Sequence, residues 1–70
     1  MTIEELTVKI YEVPIPKNWR IGQFVFNRVE ELFGDIAHNV QFIDKVDCFY
    51  DDSQIESFLQ SVLHRLNTKM

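Results

Sequence analysis

The sequence predicts an all-α fold, a small bundle of two main helices near residues 18–33 and 53–67 with a short helix near 35–41. Three observations carry this prediction. Apolar residues recur every three to four positions across both long segments, which is the spacing of a helix that buries one face. Gly34 lies where a glycine commonly ends one helix before another begins. The length of 70 residues leaves room for one core only.

We therefore expect a single helical domain at residues 18–67, with an N-terminal arm at 1–17 and a frayed tail at 68–70. A core of this size rarely yields more than about 3–5 kcal/mol without a disulfide or a metal. Cys48 is the only cysteine, so it has no partner for an internal disulfide. Good helix packing or self-association must compensate, and we favour a two-fold homodimer.

The N-terminal arm fits either a helix or a strand. Thr2 and Glu5 have the spacing of a capping box, and apolar residues follow at helical intervals. Residues 6–13 are also rich in β-branched side chains and alternate loosely, as a strand does. A lone strand would need a partner from a second copy, so we favour a helix. Pro14 and Pro16 then predict an extended connector, because proline disfavours helix at the residue before it.

The helix near 18–33 is the strongest in the chain. Asn18 is a favoured N-cap residue, and Trp19 would open the helix. On a helical wheel Phe24 falls outside the apolar face. That face continues into the short helix and consists of Ile21, Val25, Val29, Leu32, Phe33, Ile36 and Val40. So wide an arc is more than helices sharing a small core require, which predicts a second apolar contact.

Residues 42–52 lack a sustained helical period and predict a structured loop. Its apolar residues are expected to pin it to the core: Phe42, Ile43, Val46 and Phe49. Ser53 and Glu56 then have the spacing of a capping box that opens the last helix. The apolar face of that helix is predicted to be Ile55, Phe58, Leu59, Val62, Leu63 and Leu66.

Two stretches carry a family resemblance. Residues 18–27 read N-W-R-I-G-Q-F-V-F-N, and residues 49–53 read F-Y-D-D-S ahead of an I-x-x-F-L pattern at 55–59. Over about residues 14–66 the chain resembles short uncharacterised bacterial and phage-associated proteins with an N-W-R-x-G-Q-x-x-F-N stretch and an F-Y-D-D-S stretch. The resemblance implies a compact helical unit and no known activity.

Charge and hydropathy exclude several classes of function. The net charge of −4 and the absence of a basic face argue against nucleic-acid binding. No stretch approaches the roughly 20 apolar residues of a membrane span, and the N-terminus lacks the pattern of a signal peptide. A lone thiol suits a reducing compartment, so we expect a cytoplasmic protein.

The first candidate site is an acidic cluster formed by Asp44, Asp47, Asp51 and Asp52. Carboxylates are ligands that Ca²⁺ or Mg²⁺ accepts, but the spacing is not that of an EF-hand loop. We favour the simpler interpretation, in which Asp51 and Asp52 lie at a helix start and the others are solvated. No metal or cofactor is therefore predicted.

The second candidate is a mixed surface formed by Trp19, Arg20, Gln23 and Asn27, with Phe24 beside it. A planar cation, two amides and an indole suit recognition of a partner carboxylate or peptide. The favoured alternative is structural: Trp19 covers one end of the core, and Arg20 pairs with an acidic side chain of the loop. Phe24 is expected to be buried, either in an interface or beneath the N-terminal arm.

An enzyme is not predicted. His38, His64 and Cys48 lie on three different segments, and no spacing indicates a third, orienting group. What remains is a non-catalytic interaction module that self-associates through its aromatic-rich helical face. The alternative is an acidic inhibitor or decoy that binds a basic protein surface through residues 44–56.

Overall fold

Four α-helices make up most of residues 1–68, the part of the chain that the computed structural model describes. They are α1 (Ile3–Ile10), α2 (Ile21–Phe33), α3 (Ile36–Phe42) and α4 (Ile55–Thr68), with a single 3₁₀ turn at Asp52–Gln54 before α4. No strand occurs within these residues. The all-α prediction is confirmed.

The N-terminal arm is a helix, as favoured. Thr2 and Glu5 form the predicted capping box: the Thr2 N–H donates to Glu5 Oε1 at 2.7 Å, and the Glu5 N–H donates to Thr2 Oγ1 at 3.2 Å. The hydrogen bond from Thr2 holds the pKa of Glu5 below its usual value. Leu6 and Ile10 are fully buried, so α1 contributes to the same core as the other helices.

The C-terminal end of α1 is capped by a side chain from α2. Arg28 donates through Nε to the Ile10 carbonyl at 2.9 Å and through Nη2 to the Lys9 carbonyl at 2.8 Å. Its Nη1 pairs with the Glu31 carboxylate. These carbonyls have no partner within α1, and a cation also suits the negative end of a helix dipole. The Arg28 side chain is only 11% exposed, so a largely buried arginine joins α1 to α2.

The start of α2 differs from the prediction. Asn18 is not the N-cap; it has a φ of 76°, in the left-handed region that asparagine tolerates. It lies in a turn in which the Trp19 N–H donates to the Pro16 carbonyl at 3.2 Å. Arg20 is the N-cap residue, and its side chain makes no capping hydrogen bond. The helix therefore begins at Ile21, and its first N–H groups need a partner from elsewhere in the chain.

The predicted break between α2 and α3 is confirmed at Gly34. Its φ is 72°, which favours glycine, and its N–H donates to the Glu30 carbonyl at 2.9 Å. This closes the last turn of α2 and lets the chain turn back before α3 begins.

The expected anchoring of the following loop is only half correct. Val46 and Phe49 pack against the core, as predicted. Phe42 and Ile43 do not: they are 66% and 64% exposed. The reason is that α3 continues to Phe42, where helical spacing places its ring over His38, four residues earlier, with ring centroids 6.3 Å apart.

The start of α4 is also built differently from the prediction. Ser53 and Glu56 do not open the helix as a capping box. Asp51 instead accepts hydrogen bonds from the Ser53 N–H and hydroxyl at 3.0 and 2.6 Å, ahead of the 3₁₀ turn. Aspartate holds such a turn closed because its carboxylate reaches the backbone two residues on.

The core is centred on aromatic rings from three parts of the chain. Phe26 contacts Phe49 and Phe58, with ring centroids 5.5 and 5.6 Å apart.

The predicted apolar face of α4 is confirmed: Phe58, Leu59 and Val62 are buried, and the other predicted residues of that face pack against the core. Thr68, placed in the tail by the prediction, still belongs to α4, and residues 69–70 lie outside the described residues.

Candidate interaction surface

The two stretches that carry the family resemblance meet in space. Gly22, at the second position of α2, lies directly under the backbone of the loop at Cys48. A Cβ on Gly22 would lie 2.0 Å from the Cys48 carbonyl oxygen and 2.6 Å from Asp52 Oδ1. Only glycine permits this approach, so the motif glycine is explained by the packing of α2 against the loop.

Asp52 provides the cap that α2 lacks in its own sequence. Its Oδ1 accepts the Gly22 N–H at 3.1 Å, and Arg20 Nη2 lies 3.5 Å from the same oxygen. Arg20 Nη2 also donates to the Tyr50 carbonyl at 2.8 Å. A carboxylate at a helix N-terminus satisfies an unpaired N–H group and suits the positive end of the dipole. The predicted pairing of Arg20 with an acidic side chain of the loop is therefore confirmed.

Cys48 is buried in the same contact between α2 and the loop. It is fully buried, and its Sγ donates to the Gly22 carbonyl at 3.4 Å. Burial, together with the negative charge of Asp47, raises the pKa of the Cys48 thiol to about 12. A thiol that holds its proton so firmly is a poor nucleophile at neutral pH. The interpretation of Cys48 as a small buried apolar residue is confirmed.

The remaining aspartates of the acidic cluster also have partners within the chain. Asp44 accepts two hydrogen bonds from Arg65, at 3.0 and 2.8 Å, and this pairing lowers the pKa of Asp44. Asp47 Oδ1 accepts the Phe49 N–H at 2.9 Å. Hydrogen bonds from Ser53, and then from Gln54, lower the pKa of Asp51. Each carboxylate is thus committed to the shape of the loop or to an ion pair.

Metal-binding geometry is absent from the part of the chain that is described. Within residues 1–68, no three or more His, Cys, Asp or Glu side chains come together as a metal site would require.

His38 pairs with Glu30 on the outside of the bundle and contacts Phe26 at its ring edge, with ring centroids 5.4 Å apart.

Phe24 lies in the core rather than on a surface. It is 2% exposed, and the ring of Tyr11 lies over it with centroids 5.8 Å apart. The expectation that the N-terminal arm covers Phe24 is confirmed. Phe26 is buried as well, and Phe33 is half-buried and packs against the core, so the aromatic residues of α2 do not form the exposed face expected for self-association.

Trp19 and Asn27, in contrast, border an open groove of about 170 Å³. The groove lies between the connector and α2, and its other lining residues are Val13, Pro14, Pro16, Phe24, Arg28 and Glu31. Every residue from Tyr11 to Arg20 is exposed, and Trp19 is 41% exposed. Trp19 therefore stands at the edge of the core with much of its indole facing solvent.

The groove combines apolar walls with unused hydrogen-bonding groups. Arg28 and Glu31 pair with each other, so they bring no net charge. Among the hydrogen bonds of residues 1–68, none uses the Trp19 indole N–H or the Asn27 amide. Gln23, the other amide of the candidate surface, is half-buried outside the groove. Trp19 and Asn27 thus bring two hydrogen-bonding groups without a partner in the described residues to an otherwise apolar groove.

Other exposed apolar side chains are dispersed over the surface. They are Met1 before α1, Val8 on α1, Ile21 and Leu32 on α2, Phe42 and Ile43 at the end of α3, and Tyr50 in the loop. Ile21 and Leu32 were expected on the buried face. Ile21 lies in the first turn of α2 and Leu32 in its last, at the two ends of the helix. Single exposed apolar residues need no functional explanation.

Comparison with known proteins gives no further guide, since the chain matches no family, no curated protein and no solved structure. The resemblance to short bacterial and phage-associated proteins stays a prediction.

None of the helices within residues 1–68 is long and apolar enough to cross a membrane.

Proposed function

We propose that the chain is a small, non-catalytic protein-interaction module that self-associates, most simply as a two-fold homodimer. The observation that carries this proposal is the uninterrupted exposure of Tyr11–Arg20, with apolar side chains and a tryptophan at its groove. Tryptophan is among the residues that contribute most to binding energy at protein interfaces. The association surface is therefore the connector and its groove, in place of the aromatic face of α2.

Support also comes from the polar side chains, which are largely used within the chain. Arg20, Arg28 and Arg65 hold other parts of the structure, and Cys48 is sealed in the core. Side chains committed in this way have little capacity for catalysis or charge-driven binding. What the surface offers a partner is apolar area with few hydrogen-bonding groups, and the expected compartment for the free thiol is the cytoplasm.

The second candidate, an acidic inhibitor acting through residues 44–56, has less support. Asp44 is neutralised by Arg65, and Asp52 lies beside Arg20. Both pairs reduce the field that a basic partner would meet.

Light scattering coupled to size exclusion tests the proposal. At micromolar concentration we expect a mass of twice the 8.3 kDa chain. The dimer should persist in 1 M salt, because apolar contacts are not screened, whereas a charge-driven complex with a basic protein would dissociate. A mass of 8.3 kDa at every concentration would overturn self-association.

A further inference from the structure

We propose that self-association proceeds by exchange of the N-terminal helix: α1 of each copy leaves its own bundle and docks at the same position on a second copy. This inference rests on the proposed self-association and gives it a mechanism. It requires no complementary surface beyond those already in contact, because every contact of α1 within one chain is repeated between two chains. Three features of the chain support it: the docking site of α1, the shortness of that helix, and the form of the connector (residues 11–20).

The helix α1 docks on the other helices through side chains at defined positions. Leu6 and Ile10 are fully buried. At the C-terminal end Arg28 of α2 donates to the Ile10 carbonyl at 2.9 Å, and before the N-terminal end Asn67 of α4 donates to the Met1 carbonyl at 3.0 Å. An arginine and an asparagine thus hold the two ends, and apolar side chains fill the space between them. These groups bind an α1 helix of this sequence whichever chain it belongs to.

Docking and folding of α1 are coupled because the helix is short. It has eight residues, and an isolated helix of fewer than about 12–15 residues is marginal in water. An undocked α1 is therefore largely unfolded, and the Tyr11 ring, which lies over Phe24 in the closed chain, no longer covers it. The free energy gained when the helix docks again is the same for the chain's own α1 and for that of a second copy. Concentration and the connector then decide which of the two docks.

The closed connector is held weakly. Pro14 and Pro16 restrict the residues before them to extended or polyproline II backbone. The turn that follows places Asn18 at a φ of 76°, a left-handed value that residues other than glycine adopt at a cost. Within residues 1–68, a single backbone hydrogen bond joins two connector residues, from the Trp19 N–H to the Pro16 carbonyl. Opening the connector gives up that hydrogen bond and releases the left-handed residue.

The opened connector is long enough to reach a second bundle. Ten extended residues span roughly 33 Å, whereas the whole chain measures 37 × 24 × 19 Å. Two bundles placed side by side are therefore within reach of each other's α1. In that arrangement the two connectors run between the bundles, where the exposed side chains of Val13 and Ile15 lie in the new contact.

The negative charge of the chain acts against association and sets its salt dependence. Two copies of net charge −4 repel each other at long range. The exchanged contacts need no charge complementarity between whole chains, because α1 presents buried apolar side chains and carbonyl groups, and Arg28 lies at the negative end of its dipole. Added salt screens the repulsion, so the dimer should tighten as ionic strength rises.

Substitution of the left-handed residue tests the exchange. Asn18→Val should lower the dissociation constant of the dimer at least about tenfold, because a β-branched residue at positive φ destabilises the closed chain. Asn18→Gly should raise the dissociation constant, because glycine removes that cost. Light scattering over a series of concentrations measures both values.

Lys45 provides the matched control, since its φ is 61° and it lies outside the connector. Lys45→Val and Lys45→Gly change closed and exchanged chains equally, so their dissociation constants should equal that of the wild type. If Asn18→Val dimerises no more tightly than Lys45→Val, the exchange of α1 is overturned and self-association stands. A wild-type chain that is monomeric at every concentration overturns both.

Mixing of subunits tests the exchange in the wild-type chain. Unlabelled and isotope-labelled dimers are combined, and native mass spectrometry follows the appearance of mixed dimers. In an exchanged dimer α1 must undock first, so Arg28→Met, which removes the hydrogen bond to the Ile10 carbonyl, should mix at least about tenfold faster. Arg65→Met, which breaks the pair with Asp44 away from α1, is the control and should mix at the wild-type rate. Equal rates for the wild type and Arg28→Met would show that α1 stays on its own chain and would overturn the exchange.

Discussion

Two segments without α-helix, the loop at 43–52 and the connector at 11–20, are held in opposite ways. In the loop, aspartate side chains accept hydrogen bonds from backbone N–H groups, and Cys48 is fully buried. In the connector every residue is exposed, and its backbone turn is closed by the Trp19 N–H on the Pro16 carbonyl. The aspartates of the loop, which resemble a binding site in the sequence, hold the loop in shape. The apolar residues of the connector, which resemble core residues, are exposed.

The difference follows from the side chains available to each segment. Aspartate can satisfy the backbone N–H groups that a tight loop leaves unpaired, so a cluster of aspartates can fold a loop onto a helix start. Proline has no N–H to satisfy, and valine and isoleucine have no polar atoms to contribute. Such a connector keeps its shape through backbone restriction and leaves its side chains and carbonyl groups available.

The strongest way to break the loop is Gly22→Ala. The new Cβ meets the Cys48 carbonyl, a backbone atom that can move only if the loop moves with it. We expect a loss of about 3 kcal/mol in the free energy of unfolding, even though alanine favours helix. Chemical denaturation measures it. Gln23→Ala, at the next residue of α2, is the control and should change stability little; an equally stable Gly22→Ala would show that the loop is not packed on α2.

The next largest effect is expected where the connector meets α1. Arg28→Met keeps most of the aliphatic stem and removes the hydrogen bonds to the Lys9 and Ile10 carbonyls. Loss of hydrogen bonds to a buried charged group costs roughly 1.5–3 kcal/mol. Hydrogen exchange should show α1 opening before α2. If α1 keeps its protection in this variant, the arginine cap is not what fixes the arm.

The sequence predicts helices well where one apolar face extends over several turns. The face of α4, the break at Gly34 and the capping box of Thr2 with Glu5 follow from local rules, and the structure confirms them. The predicted face of α2 is only partly correct, because Ile21 and Leu32 are exposed and Phe24, outside that face, is buried.

At Ser53 the neighbouring Asp51 closes the turn in place of the predicted capping box. At Asn18 local rules fail because the cap of α2 comes from a distant residue. Asp52 caps α2 from thirty positions away along the chain, and spacing carries no signal of that pairing.

For the same reason, the sequence predicts only part of the candidate site. The sequence singles out Trp19 and Asn27, which do border the groove, but it assigns Val13 to the N-terminal arm and Pro14 and Pro16 to a connector. Whether an apolar residue next to a proline is covered depends on which helix crosses it. The cap formed by Arg28 also had no signal in the sequence, because it joins residues eighteen and nineteen positions apart.

Asp52→Ala separates the capping role of the loop from its packing. Removing the acceptor of the Gly22 N–H should cost about 1 kcal/mol, the usual value of a helix cap. Asp52→Asn retains an acceptor oxygen and should cost less. The control is Asp35→Ala at the start of α3, where the side chain makes no capping hydrogen bond. Equal melting temperatures for Asp52→Ala and Asp35→Ala would contradict the assigned cap.

Acid should weaken the loop before it affects the connector. The pKa values of Asp44 and Asp51 are lowered in the folded state by hydrogen bonds from Arg65 and Ser53. The stability they contribute is therefore complete above the unfolded pKa of about 3.9 and is lost as the pH falls through the lower, folded value. The melting temperature should be flat near neutrality and fall below about pH 4. Asp51→Asn should flatten that decline, and an unchanged acid profile would show that this carboxylate does not stabilise the loop.

One substitution made in both segments tests the comparison most directly, and its expected effects are the smallest. Val46 of the loop packs against the core, whereas Val13 of the connector is 43% exposed. Val46→Ala should lower the free energy of unfolding by about 1 kcal/mol, and Val13→Ala should change it by less than about 0.5 kcal/mol when measured on the dissociated chain. Under associating conditions the order should reverse, because Val13 then loses contact with a second copy and Val46 does not. If Val13→Ala destabilises the dissociated chain as much as Val46→Ala, the connector is part of the core, and its exposed side chains are not available for binding.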